Sequence, residues 1–262
     1  LGKLADTGPL YHISMAARLH GALDRGALEA ALADVVARHE SLRTVYPEVD
    51  GVPHQVVLAP DAARPRLGVL EVRPEEADRA VDAVRAEPFA PAAEPPLRAR
   101  LLALGPERHL LVLVLHHIAG DAGSVRPLVR DLSTAYAARR AGEAPQWQPL
   151  PVQYADYTLW QRETLGDAGD PDSEMNRQLS YWRKKLAGLP EELALPADRP
   201  RPAEARHEGG VVPFEVDAEL HQKLLDLARA HGATSFMVLH AALGALLTRL
   251  GAGTDLPIGA AV

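Results

Sequence analysis

The sequence predicts a mixed α/β protein, because helical and strand-like patterns alternate along its 262 residues. One indication is a helix that Asp24 can cap and whose apolar residues recur at helical spacing: Leu28, Leu32, Val35 and Val36. A second is a hairpin, with an alternating strand at 97–103, a turn at 105–108 and an unbroken apolar strand at 110–115. An unbroken apolar pattern is typical of a strand that is buried on both faces.

Local start and stop signals predict the elements around this hairpin. Residues 42–46 are expected to form a strand, and Pro74 to open a helix that stops before Pro88. After the hairpin, Ser124 can cap a helix that has Pro127 in its first turn, where backbone N–H groups have no helical partner.

The C-terminal part of the chain begins with an irregular stretch. Residues 189–210 contain four prolines and end in a Gly-Gly pair, which indicates a boundary between subdomains. The other predicted elements are helices at 154–165 and 173–186, a strand at 211–216, helices capped by Asp217 and Thr234, and a strand at 256–262.

Composition and charge narrow the function classes. Apolar residues make up 47% of the chain and charged residues 24%, as in a globular domain. The lack of Cys excludes disulfides, thiolate catalysis and zinc sites built on Cys, and the net charge of −7 argues against nucleic-acid binding. No apolar run reaches the roughly 18 residues of a transmembrane helix. Because residues 1–10 also lack the pattern of a signal peptide, we expect a cytoplasmic protein.

The best candidate for chemistry is segment 116–121, His-His-Ile-Ala-Gly-Asp, where the apolar strand ends. Adjacent residues on a strand point to opposite faces, so His116 and His117 cannot easily serve the same ligand. The residue pattern alone leaves three interpretations open. They are a structural pair of histidines with a capping Asp121, a metal site, and acid–base catalysis by one histidine. The opposed side chains and the lack of Cys weaken the metal site.

Four stretches of the chain form a series of motifs: 38–46 (RHESLRTVY), 116–122 (HHIAGDA), 154–160 (YADYTLW) and 255–259 (DLPIG). The first three resemble the RHExLRTxF, HHxxxDG and YxDYAxW motifs of condensation domains of nonribosomal peptide synthetases. The fourth is similar to the segment that leads to the later motifs of that family. The order is the family's own, and the resemblance covers essentially the whole chain.

The resemblance implies an α/β fold, an α+β sandwich of the chloramphenicol acetyltransferase type. Family members have two lobes with the histidine segment in a tunnel between them. Residues 1–188 would form the N-terminal lobe, and residues 189–262 a linker and the incomplete start of the C-terminal lobe. The family's first motif is not found and its late motifs would lie past Val262. We therefore expect a chain truncated at both ends, largely folded but inactive by itself.

The resemblance also implies a reaction. The α-amine of an acceptor aminoacyl thioester attacks a donor peptidyl or aminoacyl thioester, and each substrate is held on the phosphopantetheine of a separate carrier domain. His117 is the implied catalytic residue, and Asp121 is expected to pair with Arg43 or, as a second choice, with Arg38. The residues with an implied structural role are His116, Gly120, Asp121 and Arg43.

The implied partners are an upstream donor carrier domain, a downstream acceptor carrier domain and an adjoining adenylation domain. No metal ion or bound cofactor is expected in this chain, and neither nucleic acid nor membrane is expected as a partner. Stretches 118–121 and 171–173 resemble family members that take a donor peptide ending in a D-residue.

Two departures from the family pattern leave other functions open. Ala122 stands where the family has Gly, and Gly123 where many members have Trp. A positive φ at Ala122 would cost on the order of 1 kcal/mol. The alternatives are an epimerization domain, a non-catalytic recruitment module of the condensation type, and a stand-alone acyltransferase that uses soluble thioesters.

Overall fold

The computed structural model describes residues 8–190, 192–200, 210 and 212–260. The chain divides into two compact units, Leu1–Leu165 and Gly166–Val262. This division assigns the helix at 174–185 to the second unit, whereas the boundary predicted from the sequence lies between residues 188 and 189. The lobe assignment itself stays a prediction.

The first unit contains the strands and four of the α-helices. Its strands are β1 His12–His20, β2 Thr44–Val45, β3 Glu48–Val49, β4 Val52–Pro53, β5 Val56–Val57, β6 Leu67–Glu71, β7 Leu97–Gly105 and β8 Arg108–His116. Its helices are α1 Arg25–Arg38, α2 Ala77–Ala86, α3 Ala122–Arg140 and α4 Tyr154–Leu165, with 3₁₀ turns at Gly8–Tyr11, Glu40–Arg43 and Pro74–Glu76. The second unit contains α5 Glu174–Lys185, α6 Ala218–Ala230 and α7 Ser235–Arg249.

The main sheet has the strand order β1-β8-β7-β6. β8 pairs antiparallel with β1 on one side and with β7 on the other, and β6 joins β7 in parallel. The predicted hairpin of β7 and β8 is confirmed. β1 was not predicted from the sequence, although polar and apolar residues largely alternate from His12 to Leu19 in the period of a half-buried strand.

Helices cover both faces of this sheet. On one face, α1 and α3 pack against alternate residues of the central strand: Leu111, Leu113 and Leu115. On the other, Val81 and Val84 of α2 pack against Leu110, Val112 and Val114. The central strand is therefore buried on both faces, as its unbroken apolar pattern predicts, and its C-terminal end is held rigidly.

Most predicted helix starts are confirmed, but the cap of α3 was wrong. Asp121, not Ser124, is the cap: its carboxylate accepts a hydrogen bond from the Ser124 amide at 2.9 Å, while its own amide donates to the Ser124 hydroxyl at 3.1 Å. This reciprocal capping box moves the helix start to Ala122. Pro127 consequently lies in the second turn. Because proline has no amide hydrogen, the carbonyl of Gly123 lacks its usual helical donor.

Three strand predictions were wrong wholly or in part. Residues 40–43 form a 3₁₀ turn, which leaves only Thr44–Val45 as a strand paired with Val56–Val57. Residues 212–216 and 256–260 form no strand. Residues 211, 261 and 262 lie outside the described residues. Apolar composition cannot make a strand without a partner for its backbone N–H and C=O groups.

One further finding concerns the two ends of α2, and another concerns helices that could span a membrane. Pro74 opens a 3₁₀ turn that leads into α2, which stops before Pro88 as predicted. Within the described residues, no single helix is long and apolar enough to cross a membrane. α6 and α7 pass that test of length and composition only as a pair, which is bent by 103°.

Candidate functional site

The two adjacent histidines lie in different surroundings at the end of β8. His116 is half-buried, and its ring centroid is 6.3 Å from that of Tyr11, 6.4 Å from that of His12 and 6.1 Å from that of Phe89. Its Nδ1 accepts a hydrogen bond from the Ile118 amide at 3.1 Å. Only a neutral imidazole can accept this bond, so His116 holds the loop when it is unprotonated. Burial, together with the charges of His12 and His117, lowers the pKa of His116 from its usual 6.5.

His117 begins the loop that follows the strand. Its amide donates to the carbonyl of Tyr11 at 2.7 Å, which extends the β1–β8 pairing by one residue. Its exposed side chain lines a cavity of about 260 Å³, which we call the histidine cavity. The other residues lining this cavity are Ser41, Ile118, Ala119, Gly120, Asp121, Ser124 and Tyr154. His117 is thus available to a ligand, and its backbone amide is held by β1.

Asp121 has a structural role different from the one expected. Its carboxylate accepts from the Ser124 hydroxyl at 2.7 Å and from the Ser124 amide, and these bonds lower its pKa. Within the described part of the chain, no arginine forms an ion pair with Asp121. Arg43 instead donates to the Leu58 carbonyl and to Glu40, so the predicted pair of Asp121 and Arg43 is wrong. The helix N-terminus satisfies the carboxylate locally, and no cation is needed.

The arginine and histidine of the 38–46 motif meet a different acid, Asp131 on α3. Arg38 Nε and His39 Nε2 lie 3.0 Å and 2.9 Å from the same oxygen of Asp131, and Arg130 Nε lies 3.0 Å from the other. Asp131 is only 2% exposed. Burial raises its pKa, but the hydrogen bonds from His39, Arg130 and Arg38 outweigh burial and leave the pKa lowered. The second choice of partner for Asp121, Arg38, is therefore also wrong.

Asp131 was not predicted as a functional or structural residue, although the sequence contains a signal for it. This acid lies beside Leu132 and three residues after Leu128, on the apolar face of α3. An Asp on an apolar helix face has to be paired when it is buried. The pattern of α3 therefore indicates that Asp131, like Asp121, needs a partner.

Gly120 makes a close approach to α3, and Ala122 is not strained. A Cβ at Gly120 would lie 3.2 Å from the Cβ of Ser124, so a larger residue there would press on the first turn of α3. Ala122 is the first residue of α3, and Asp50 is the one residue other than glycine with a positive φ in the described ranges. The cost that would follow from a positive φ at Ala122 does not arise.

No group of three or more His, Asp or Glu side chains that could hold a metal ion occurs in the described ranges. The histidine cavity offers an imidazole and a capped carboxylate. The imidazole can exchange protons, and both groups can hold polar groups of a ligand.

A family model described as "Condensation domain" matches residues 1–262. The chain belongs to the condensation domain family. It is 57% identical over 263 residues to a probable non-canonical nonribosomal peptide synthetase, CymA, of Salinispora arenicola, a match that covers 100% of this chain and 3% of the relative. It is 51% identical to a dimodular nonribosomal peptide synthase of Bacillus subtilis, with 99% of this chain and 11% of the relative covered. The chain thus spans a small part of these multidomain relatives.

Solved structures agree with the family assignment. The X-domain from teicoplanin biosynthesis, solved in complex with OxyB, is 41% identical with a TM-score of 0.85, and the match covers 93% of this chain and 53% of that one. The first condensation domain of the CDA synthetase is 23% identical with a TM-score of 0.70, over 95% of this chain and 59% of that one, and is similar in fold. The condensation domain described here therefore has the chloramphenicol acetyltransferase-like fold.

Proposed function

We propose that this condensation domain forms peptide bonds between carrier-bound thioesters, with His117 as the catalytic residue. The observation that carries the proposal is the position of His117, with its side chain in a cavity and its amide fixed by Tyr11. The acceptor amine attacks the donor thioester carbonyl, a C–N bond forms, and the tetrahedral intermediate expels the donor carrier's thiol. The proton lost by the amine balances the proton gained by the thiolate. His117 is positioned to receive the amine's proton in the cavity.

Activation of the amine is the smaller part of the task. A free α-amine has a pKa of about 7.7–8.0, so about a tenth of it is already neutral at pH 7. Orientation of the amine and proton acceptance during bond formation contribute more to the rate than prior deprotonation does. A side chain at the end of a strand buried on both faces suits this purpose, because its backbone cannot drift.

The proposed partners follow from the reaction. The substrates are brought by an upstream donor carrier and a downstream acceptor carrier on phosphopantetheine arms, and an adenylation domain adjoins this one. Stretches 118–121 and 171–173 support a donor whose last residue has the D configuration. The chain needs no bound cofactor for this chemistry, and we place the protein in the cytoplasm. Its relatives are multidomain synthetases, which supports this set of partners.

A second function, recruitment of another protein, is favoured by one comparison. The X-domain, which is 41% identical to this chain, was solved in a complex with OxyB. A domain that serves only for docking would not need a free imidazole in a cavity. This chain keeps both histidines and Asp121, so we rank catalysis first.

Single-turnover condensation with preloaded carriers distinguishes the two functions. In the parent synthetase, His117→Ala is expected to lower the rate by 10²-fold or more. His54→Ala is the matched control, because His54 is exposed in the connection between β4 and β5 and lines neither this cavity nor its loop. Wild-type protein that forms no peptide bond, or a His117→Ala variant that reacts at the wild-type rate, would overturn the catalytic assignment.

A further inference from the structure

A second cavity of about 270 Å³ lies beside the histidine cavity and has no role in the mechanism above. Its walls come from the 3₁₀ turn after α1, the end of β8 and the first turns of α3. The apolar walls are Leu42, Leu115, Pro127 and Leu128, of which the three leucines are at most 5% exposed. We call this space the leucine pocket. A mostly apolar pocket with few polar groups is the usual form of a site for an organic side chain.

The leucine pocket and the histidine cavity share three lining residues, Ser41, Ala119 and Ser124. All three are small, so the boundary between the two spaces consists of one methyl group and two hydroxymethyl groups. The Ser124 hydroxyl is used in the cap of α3. The Ser41 hydroxyl has no hydrogen-bond partner among the described residues, and it is available to a ligand that lies across the boundary.

The walls of the leucine pocket are held rigidly. His39, which also lines it, is fixed at its Nε2 by Asp131 at 2.9 Å. Leu115 belongs to the central strand and Leu128 to the core cluster between α1 and α3. A preformed pocket avoids the ordering cost that a flexible one would impose on binding.

We propose that the leucine pocket receives the side chain of the acceptor amino acid and selects for an apolar side chain of medium size. The inference rests on the proposed function, which puts the acceptor's α-amine at His117. The amine and the side chain are bonded to the same Cα. An acceptor held by its amine in the histidine cavity therefore directs its side chain at a wall of that cavity. At the shared boundary the wall consists of small residues, and the apolar walls of the leucine pocket lie behind them.

Gly123 determines the size of this pocket. It lines the pocket at the second position of α3 and contributes no side chain. A Cβ there would lie 3.3 Å from Oδ1 of Asp121, a tight but tolerable contact. A larger residue at 123 would fill space that an acceptor side chain could otherwise occupy.

The first test is binding to the 262-residue chain. The probes are leucyl-aminopantetheine and glycyl-aminopantetheine, in which an amide replaces the thioester of the acceptor. No donor thioester is present, so the probes bind without reacting. We expect the leucyl probe to bind at least about tenfold more tightly than the glycyl probe. Gly123→Leu should abolish this preference, so that the two probes bind with similar affinity. Intermolecular nuclear Overhauser effects from the leucyl methyls to Leu115 and Leu128 should be present in the wild type.

Two control variants separate pocket filling from other effects. Gly123→Ala adds the Cβ that presses on the Asp121 cap, but little bulk, and should keep the preference. Ala122→Leu adds the same bulk at the neighbouring exposed position, which lines neither cavity, and should also keep it. Thermal unfolding of each variant checks that it is folded.

The second test is single-turnover condensation in the parent synthetase with leucyl and glycyl acceptors. Gly123→Leu should lower the ratio of the leucyl rate to the glycyl rate about tenfold. Equal binding of both probes to the wild type, no Overhauser contact to Leu115 or Leu128, or a selectivity change that follows the donor would overturn the pocket proposal. A synthetase without condensation activity, combined with the predicted binding pattern, would overturn the proposed function alone.

Discussion

The two histidines at the end of β8 have different roles because their side chains lie in different surroundings. His116 is turned into a cluster of rings with Tyr11, His12 and Phe89, whereas His117 is exposed in a cavity. One residue fixes the loop, and the other is free to act. That the free histidine faces a tunnel between two lobes stays a prediction.

The pH dependence of the His117→Ala variant separates two catalytic roles. If His117 only deprotonated the acceptor amine, its loss would cost about tenfold at pH 7 and almost nothing at pH 9. We expect a loss of 10²-fold or more that persists at pH 9, because an imidazole on a fixed backbone also orients the amine and takes its proton during bond formation. Single-turnover rates of both proteins from pH 7 to 9 measure this. Recovery of the variant at pH 9 would leave His117 as a simple base.

The bond from the Ile118 amide to His116 predicts a local pH response. Protonation of Nδ1 removes the acceptor, and the pKa of His116 is lowered by burial, so the bond is present at neutral pH and lost only as the pH falls below 6.5. The Ile118 amide resonance should therefore titrate with a midpoint below 6.5 in nuclear magnetic resonance spectra. His116→Phe should abolish this titration. A midpoint at or above 6.5 would contradict the assigned bond.

At the scale of elements, the contact between α1 and α3 depends on charge as well as on apolar packing. Arg38 and His39 at the end of α1 reach Asp131 on α3, and Arg139 of α3 binds both oxygens of Asp34 on α1, at 2.7 Å and 2.6 Å. The first of these contacts is buried. Through His39 it also fixes one wall of the leucine pocket.

Replacement of Asp131 tests this contact. Asp131→Asn leaves Arg38 without its charge partner in a site with little water, and it should lower the free energy of unfolding by roughly 3 kcal/mol at pH 7. Asp121→Asn is the matched control and should change stability far less, because Asn caps a helix about as well as Asp. Urea denaturation measures both variants. Equal losses would contradict the separate roles of the two acids.

The pKa of Asp131 gives the sign of the accompanying pH effect. Because the pKa is lowered in the folded state, the stability from Asp131 is present above the ordinary carboxyl pKa of about 3.9 and is lost as the pH falls through the lowered value. The stability difference between wild type and Asp131→Asn should therefore shrink in strongly acidic solution. A constant difference down to pH 2 would show that charge is not its cause.

At the scale of the whole molecule, the second unit leaves apolar surface uncovered. In α7, exposed fractions are 61% for Phe236, 58% for Met237 and 53% for Leu246. Helix residues of this kind normally pack against another element, and exposed apolar patches favour association. The first unit also has exposed apolar residues, such as Leu159 and Trp160 of α4, but it contains two core clusters of buried residues.

We therefore expect the 262-residue chain to self-associate through α7. Sedimentation velocity should show a weight-average mass that rises with concentration. The double variant Met237→Lys with Leu246→Lys should reduce this rise, whereas Thr248→Lys, at an exposed polar position of the same helix, should not. Circular dichroism checks that the helices are retained. A wild-type chain that stays monomeric at all concentrations would refute this expectation.

The sequence by itself determined the features that depend on a few neighbouring residues. The caps at Asp24, Asp217 and Thr234 and the β7–β8 hairpin were predicted from local signals, because their hydrogen bonds close within a few positions of the chain. The family and its histidine segment were predicted because each motif is a short run of consecutive residues.

Only the tertiary structure decided which distant groups meet. Arg38 and His39 find Asp131 across 93 and 92 positions, whereas Asp121 turns to its own helix and takes no arginine. The strands predicted at 211–216 and 256–262 depend on partners that local composition cannot specify, and the described residues of both form none. The leucine pocket is likewise assembled from three separate elements. Burial and pairing energies depend on packing in space, and a pattern along the chain shows only which residues need a partner, not which partner they find.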